Sequence, residues 1–160
     1  MDNQSYFSSA SGSTGKIVAA RILPNQDVLS TIEGICLKHN IKYGQITTTI
    51  GSLKRMALNY VTRLKPVEGL GHTTHMEKEG PFSVLCGQGL VSPSEEPDKM
   101  NIHLHMAISG EEDIVYGGHI EKGTVTLSTL DIFILEINGL EISRKKDPVT
   151  GITFTSFEEV

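Results

Sequence analysis

The clearest pattern in the chain is a double alternation over residues 101–120, NIHLHMAISGEEDIVYGGHI. Read as a strand, residues 101–109 place Ile102, Leu104, Met106 and Ile108 on one face and His103 and His105 on the other. The polar stretch 109–113, with Gly110 and two glutamates, predicts a turn. A second strand then carries Ile114, Tyr116 and Ile120 in one phase and His119 in the opposite one. Aligning the two apolar faces forces an even register; Ile108 opposite Ile114, for example, sets His119 opposite His103. A slip of one residue would expose the apolar set and bury the polar one. Cross-strand neighbours lie about 5 Å apart and diagonal ones about 7–8 Å, so three imidazoles are expected within reach of one ion.

Elsewhere the periodicity predicts a mostly β chain with one helix. Residues 1–15, rich in Ser, Gly and Asn and without a period, read as a flexible arm, which leaves 16–157 as a single domain. Residues 16–23 (KIVAARIL) form a β-rich run stopped by Pro24, with Arg21 as the charge inside it. Asp27 suits an N-cap, and Val28, Leu29, Ile32, Ile35 and Cys36 make a helical stripe over 27–39. Lys38, His39 and Asn40 suit the end of that helix. From Tyr43 the period is two, through Ile46, Thr48 and Ile50 and then Met56, Leu58 and Tyr60, so two strands broken at Gly51-Ser52 are expected. Residues 62–79 read as a long loop carrying His72 and His75. A strand over 81–91 has Phe82, Val84, Cys86 and Leu90 in phase, and 92–100 is a turn-rich connection. The longest strand is 124–138. Its segment 130–135 (LDIFIL) is apolar on both faces except for Asp131, which predicts a second packing surface, either a covering layer or a partner subunit. Asn138-Gly139 predicts a tight turn, 141–145 a returning strand, and 147–151 (DPVTG) a turn before a last short strand.

Charge and composition narrow the chemistry. A net charge of −5 gives no general attraction to phosphate backbones or anionic membranes. The short basic groups Lys54-Arg55 and Arg144-Lys145-Lys146 read as exposed strand or turn charges. No stretch approaches the roughly 18 apolar residues of a membrane span, and the N-terminus lacks the basic and apolar regions of a secretory signal, so a cytoplasmic protein is expected. Cys36 and Cys86, outside any metal-ligand spacing, read as buried free thiols of a reducing compartment. The chemistry then falls to His103, His105 and His119. Three neutral imidazoles suit zinc or a similar divalent ion in a tetrahedral site whose fourth position stays open; without an ion they are polar residues sharing a sheet face. Arg21 reads either as a solvent-facing or carboxylate-paired strand residue or as an anion or substrate contact. His39 reads as a helix cap. His72 and His75 read as loop residues, with a contribution to a neighbouring subunit's pocket left open.

With these pieces placed, the sequence resembles the PPC (plants and prokaryotes conserved) domain family. The resemblance is carried by Arg21-Ile-Leu-Pro24 leading into Asp27, Ile50-Gly-Ser-Leu53, Gly80-Pro-Phe82 followed by Leu85, His103-Leu-His105, Gly117-Gly-His119 and Asp147-Pro-Val-Thr-Gly151, together spanning about residues 16–155. It implies an α+β fold, a mainly antiparallel sheet curled into a barrel-like sandwich with one main helix, assembled as a homotrimer. It also implies that His103, His105 and His119 are the positions at which bacterial and archaeal members hold a metal. The family's association with DNA comes largely from plant members in which AT-hooks precede the domain. No Arg-Gly-Arg-Pro core occurs here and no basic residue precedes Lys16, so DNA binding is an inherited label that the charge does not support.

Two functional readings follow. One is a trimeric metal-containing binding or regulatory module with room for a small-molecule ligand at the metal. The other is a zinc-dependent enzyme acting on a small carbonyl or carboxylate substrate, by analogy with the three-histidine zinc site of α-acetolactate decarboxylase, whose fold the PPC fold resembles. An enzyme needs an acid or base as well, and Glu111, Glu112 and Glu121 lie near the hairpin without being placed on the histidine face by spacing.

Overall fold

The computed structural model of the chain describes residues 8–62, 72–111, 113–146 and 153–160. In chain order these form β1 (Ser13–Ile22), α1 (Val28–Lys38), β2 (Gly44–Thr62), β3 (His72–Pro93), β4 (Met100–Ser109), β5 (Val115–Ile120), β6 (Val125–Asn138), β7 (Leu140–Lys146) and β8 (Thr153–Glu159). Six strands make one antiparallel sheet in the order β1-β6-β2-β3-β4-β5, and β7 and β8 form a separate two-stranded ribbon. This is the expected α+β architecture: a curled, mostly antiparallel sheet with a single helix.

Curling has a specific cause. The far end of β2 also pairs with β5, Leu58 with Ile120 and Asn59 with His119, so β2, β3, β4 and β5 close into a ring. Closure needs two backbones to approach closely. A Cβ on Gly118 would lie 2.3 Å from the Asn59 carbonyl oxygen, so only glycine lets β5 dock there. Gly51 performs the same service between β2 and β6, where a Cβ would meet the Thr129 carbonyl oxygen at 2.1 Å.

The ring encloses an apolar core that includes Ile46, Leu53, Met56, Leu58, Leu104, Met106, Ile108 and Ile120, all buried. Helix α1 covers it with Val28, Ile32 and Cys36, spaced four apart on one face. Asp27 caps the helix by accepting from the Ser30 N–H at 2.9 Å, while its other oxygen accepts from the Gly123 N–H at 2.7 Å. The cap thus ties the helix start to the β5–β6 turn. At the far end His39 is the C-cap.

Four details differ from the sequence expectations. β1 begins at Ser13, inside the segment read as an arm, because Ser13 and Thr14 extend its pairing with Asn138 and Ile137 of β6. β2 is one strand, since register shifts near Gly51 and Leu53 absorb the irregularity as bulges without ending the ladder. Residues 72–79 of the predicted loop are strand, with Arg55 to Thr62 pairing back along Glu79 to His72, and its residues 63–71 lie outside the described residues. A register shift between Val84 and Cys86 turns Cys86 outward, so only Cys36 is a buried thiol. The DPVTG turn also lies outside the described residues.

In the 130–135 segment, Leu130, Ile132 and Ile134 are buried, whereas Phe133 is 44 % exposed. On the same outer face stand Ile17 at 68 % and Ile50 at 62 % exposure, beside the Arg21–Asp131 pair. The apolar outer side of β6 is therefore uncovered in the single chain.

Replacing Gly118 with Val should lower the melting temperature and cost about 1–3 kcal/mol, the usual range for overpacking. Gly34→Ala is the contrasting variant: a Cβ there meets nothing within 4 Å, so it should stabilise by about 0.5–1 kcal/mol. Thermal melts of the two read both signs, and a neutral Gly118→Val would contradict the closure argument.

Candidate metal centre

The strand period that sends Leu104, Met106, Ile108 and Ile120 into the ring puts His103, His105 and His119 on its outer wall. In the β4–β5 ladder Ile108 faces Tyr116 and His105 faces His119. The illustrative register with Ile108 opposite Ile114 is thus off by two residues, because the turn takes in Ile114, whose carbonyl accepts from the Gly110 N–H at 3.3 Å. An even offset exchanges partners and keeps faces, so all three histidines still share one side. His103 Nε2 and His105 Nε2 are 3.1 Å apart, and one ligand atom from each ring lies within 4.8 Å of the others. Ring centroids are separated by 5.0, 4.9 and 5.4 Å. Tetrahedral zinc with bonds of 2.0–2.1 Å needs nitrogens about 3.3–3.4 Å apart. One pair is close to that spacing, and the third ring's ligand atom stands within 4.8 Å of both.

The electrostatics favour the ligating form. Burial pushes the His103 imidazole down to about 4, helped by the Arg144 charge and the two neighbouring rings. Burial and Arg144 also lower His105. His119 is lowered by burial first, then by His105 and Arg144, with Glu121 opposing. Neutral imidazole is the form that binds a metal. Next to them on the same wall runs a charged chain. Asn59 sits opposite both His119 and His75 in the sheet and donates to Glu121. The other Glu121 oxygen lies 2.6 Å from His75 Nδ1, and Glu77 lies 3.0 Å from His75 Nε2 and accepts from Arg55. Hydrogen bonds to Glu77 and Glu121 raise the His75 pKa, and Arg55, then His75, lower that of Glu77.

A family model for the Plants and Prokaryotes Conserved (PCC) domain matches residues 9–138. The chain belongs to this family. Among solved structures, the metal-containing protein AF0104 from Archaeoglobus fulgidus shares the PCC fold at a TM-score of 0.77 and 23% identity, covering 92% of this chain and 98% of that one. A plant- and prokaryote-conserved protein from Pyrococcus horikoshii aligns at a TM-score of 0.76 and 25% identity over 96% and 99% of the two chains. A "putative dna binding protein" from Bacteroides thetaiotaomicron aligns at 0.71 and 17% identity over 91% and 97%. In sequence, the bifunctional protein GlmU of Synechococcus sp. (strain JA-3-3Ab) is 23% identical over 145 residues, 91% of this chain but 21% of that protein. The chain therefore spans about a fifth of the length of that curated relative.

Within this PCC domain the other residues singled out from sequence go to different places. Arg21, on β1, is separated from the histidine strands by β6, β2 and β3 in the sheet order. It makes a two-pronged contact with Asp131, at 2.6 and 2.7 Å, which raises its own pKa and lowers that of Asp131. Glu121 does stand beside the histidines. Glu111 lines a different cavity, with Lys78 and Tyr116, and Glu112 is outside the described residues. Two neighbours of the centre escaped the sequence reading. His75 falls in the loop expected over 62–79, although the alternation His75, Glu77, Glu79 marks one strand face. Arg144 reads like its neighbours Lys145 and Lys146, and nothing in its local pattern tells it from them.

An NMR titration of the metal-free imidazoles should find His103 near 4, His105 and His119 below the ordinary 6.5, and His75 above it. For the lowered three, the unfolded chain binds protons more readily, so their contribution to stability is full above 6.5 and is lost as pH falls through each lowered value, about 4 for His103. His75 acts in the opposite sense, contributing below 6.5 and fading as pH rises through its raised value. His103 titrating at or above 6.5 would contradict this picture.

Proposed function

We propose that the protein is a PCC-domain metal-binding module in which His103, His105 and His119 hold one zinc-like divalent ion with a fourth position open to a small ligand. The observation that carries this reading is the convergence of three depressed-pKa imidazoles, donor atoms within 4.8 Å, on one half-buried wall. The donor set suits the ion: nitrogen ligands of intermediate softness, neutral at pH 7, borne on two hydrogen-bonded strands. An ion so held acts as a Lewis acid towards a bound carbonyl or lowers the pKa of bound water towards 7.

The module assembles as a homotrimer through the outer face of β6, where Ile17, Ile50 and Phe133 leave apolar surface that a second copy would remove from water. Its place is the cytoplasm; among the described residues no helix is long and apolar enough to cross a membrane. DNA association comes to this chain only through relatives so described. Its net charge is −5, and Arg21, Arg55, Lys16, Lys42 and Lys145 each sit beside a carboxylate, so part of its positive charge is matched within the chain and little attraction to a phosphate backbone is left.

A catalytic reading gains one specific support. The Glu121 carboxylate, one turn of the strand period from His119 and hydrogen-bonded to Asn59 and His75, stands on the metal wall where an acid or base is needed.

Native mass spectrometry of untagged protein purified without chelator tests assembly and loading together. The expected species is three chains with about one ion per chain, and His103→Ala with His105→Ala should keep the trimer and lose the ions. A metal-free wild type removes the metal reading, and a monomer at micromolar concentration removes the assembly.

A further inference from the structure

Among the described residues, Thr49 Oγ1 and Arg144 Nε are the buried side-chain atoms without a hydrogen-bond partner. Arg144 projects from β7, which packs on β3. The other described arginines behave differently: Arg21 is clasped by Asp131 and Arg55 by Glu77 and Glu79. Leaving a charged donor buried and unpaired costs stability, and burial indeed lowers the Arg144 pKa. The side chain lies close enough to His103, His105 and His119 for its charge to depress all three. It also lines a cavity of about 370 Å³ with Asn101, Ser94, Glu95, Glu96 and Thr153. Asn101 alternates in phase with His103 and His105 along β4, so this cavity opens beside the histidine wall.

We infer that Arg144 is the anchor for a small carboxylate ligand, one of whose oxygens reaches the open position on an ion held by His103, His105 and His119. The inference rests on the metal reading above and names the ligand class for that same centre. With Nε buried, the two terminal nitrogens of Arg144 are the pair that a ligand in the cavity can meet, and as planar donors they match the two oxygens of a carboxylate. Glu95 and Glu96 in the cavity, and Glu121 beside His119, resist the addition of much negative charge. A carboxylate monoanion therefore suits the site better than a phosphate dianion. For the same reason Arg144 alone draws an anion weakly, and the ion's positive charge is needed as well.

Isothermal titration of pyruvate and, separately, inorganic phosphate into the zinc-loaded protein tests it, with zinc content measured on every variant. The expected result is pyruvate binding that weakens at least tenfold in Arg144→Gln at unchanged zinc content. Arg144→Lys, which keeps charge and loses the planar edge, should fall between. The melting temperature of Arg144→Gln should stay level or rise, since a buried unpaired charge has been removed. Zinc retained with pyruvate affinity unaffected by either variant, or no pyruvate binding at all, overturns the anchor while leaving the metal centre intact. Arg144-dependent binding of phosphate in preference to pyruvate overturns the carboxylate class. Should Arg144→Gln melt lower or fail to fold, an undiminished affinity in Arg144→Lys overturns the inference and assigns the residue to structure. A wild type that takes up no zinc is the separate failure of the three-histidine reading, and this inference falls with it.

Discussion

The structure depends on β5 lying between β4 and β2, paired to both. That position closes the ring, seals Leu58, Leu104 and Ile120 inside, and fixes His119 opposite His105 on one side and Asn59 on the other. The constraint is backbone contact. Gly118 has no side chain to keep the Asn59 carbonyl away, and Ile120 has no other place to bury its surface. Once the apolar residues face inward, strand period leaves the outer wall to His103, His105, His119 and Glu121. Site and core are thus two faces of one alternation, and neither moves without the other.

The outer wall is divided electrostatically within a few residues. At one end, burial and the Arg144 charge keep three imidazoles neutral and their lone pairs free for a cation. At the other, Glu121 and Glu77 hold His75 towards its charged form, with Arg55 completing the chain. Asn59 stands between the two, opposite His75 and His119 alike. Two histidine populations on one sheet face, with pKa values pushed apart by their surroundings, are what a centre needs if one set is to bind an ion while the other manages protons.

How much of this was legible in the sequence depends on the range of the interaction. The helix, with its Asp27 cap and its stripe of Val28, Ile32 and Cys36, is local and reads directly. The shared face of the three histidines is nearly as local, because any even register preserves it; only the choice of partner, His105 in place of His103, needed the turn. Bulges are harder. The interruption at Gly51-Ser52 looks like a break, yet pairing to β3 and β6 on both sides carries β2 through it. The shift at Cys86 turns a thiol outward for a reason that lies in the ladder to β4. Arg144 is out of reach altogether, since its place near the histidines comes from a ribbon packed back on β3, and it follows His103 by 41 residues and His119 by 25. Whatever covers the outer side of the 130–135 segment is not read from the single chain, in which Phe133 stands exposed.

The most direct test of the three-histidine centre is a crystal structure of protein purified without chelator, with diffraction recorded above and below the zinc absorption edge. One anomalous peak per chain, about 2.0–2.1 Å from a nitrogen of each of His103, His105 and His119, is the predicted result. Rings turned apart with water between them, or a peak at any other set of residues, would contradict it.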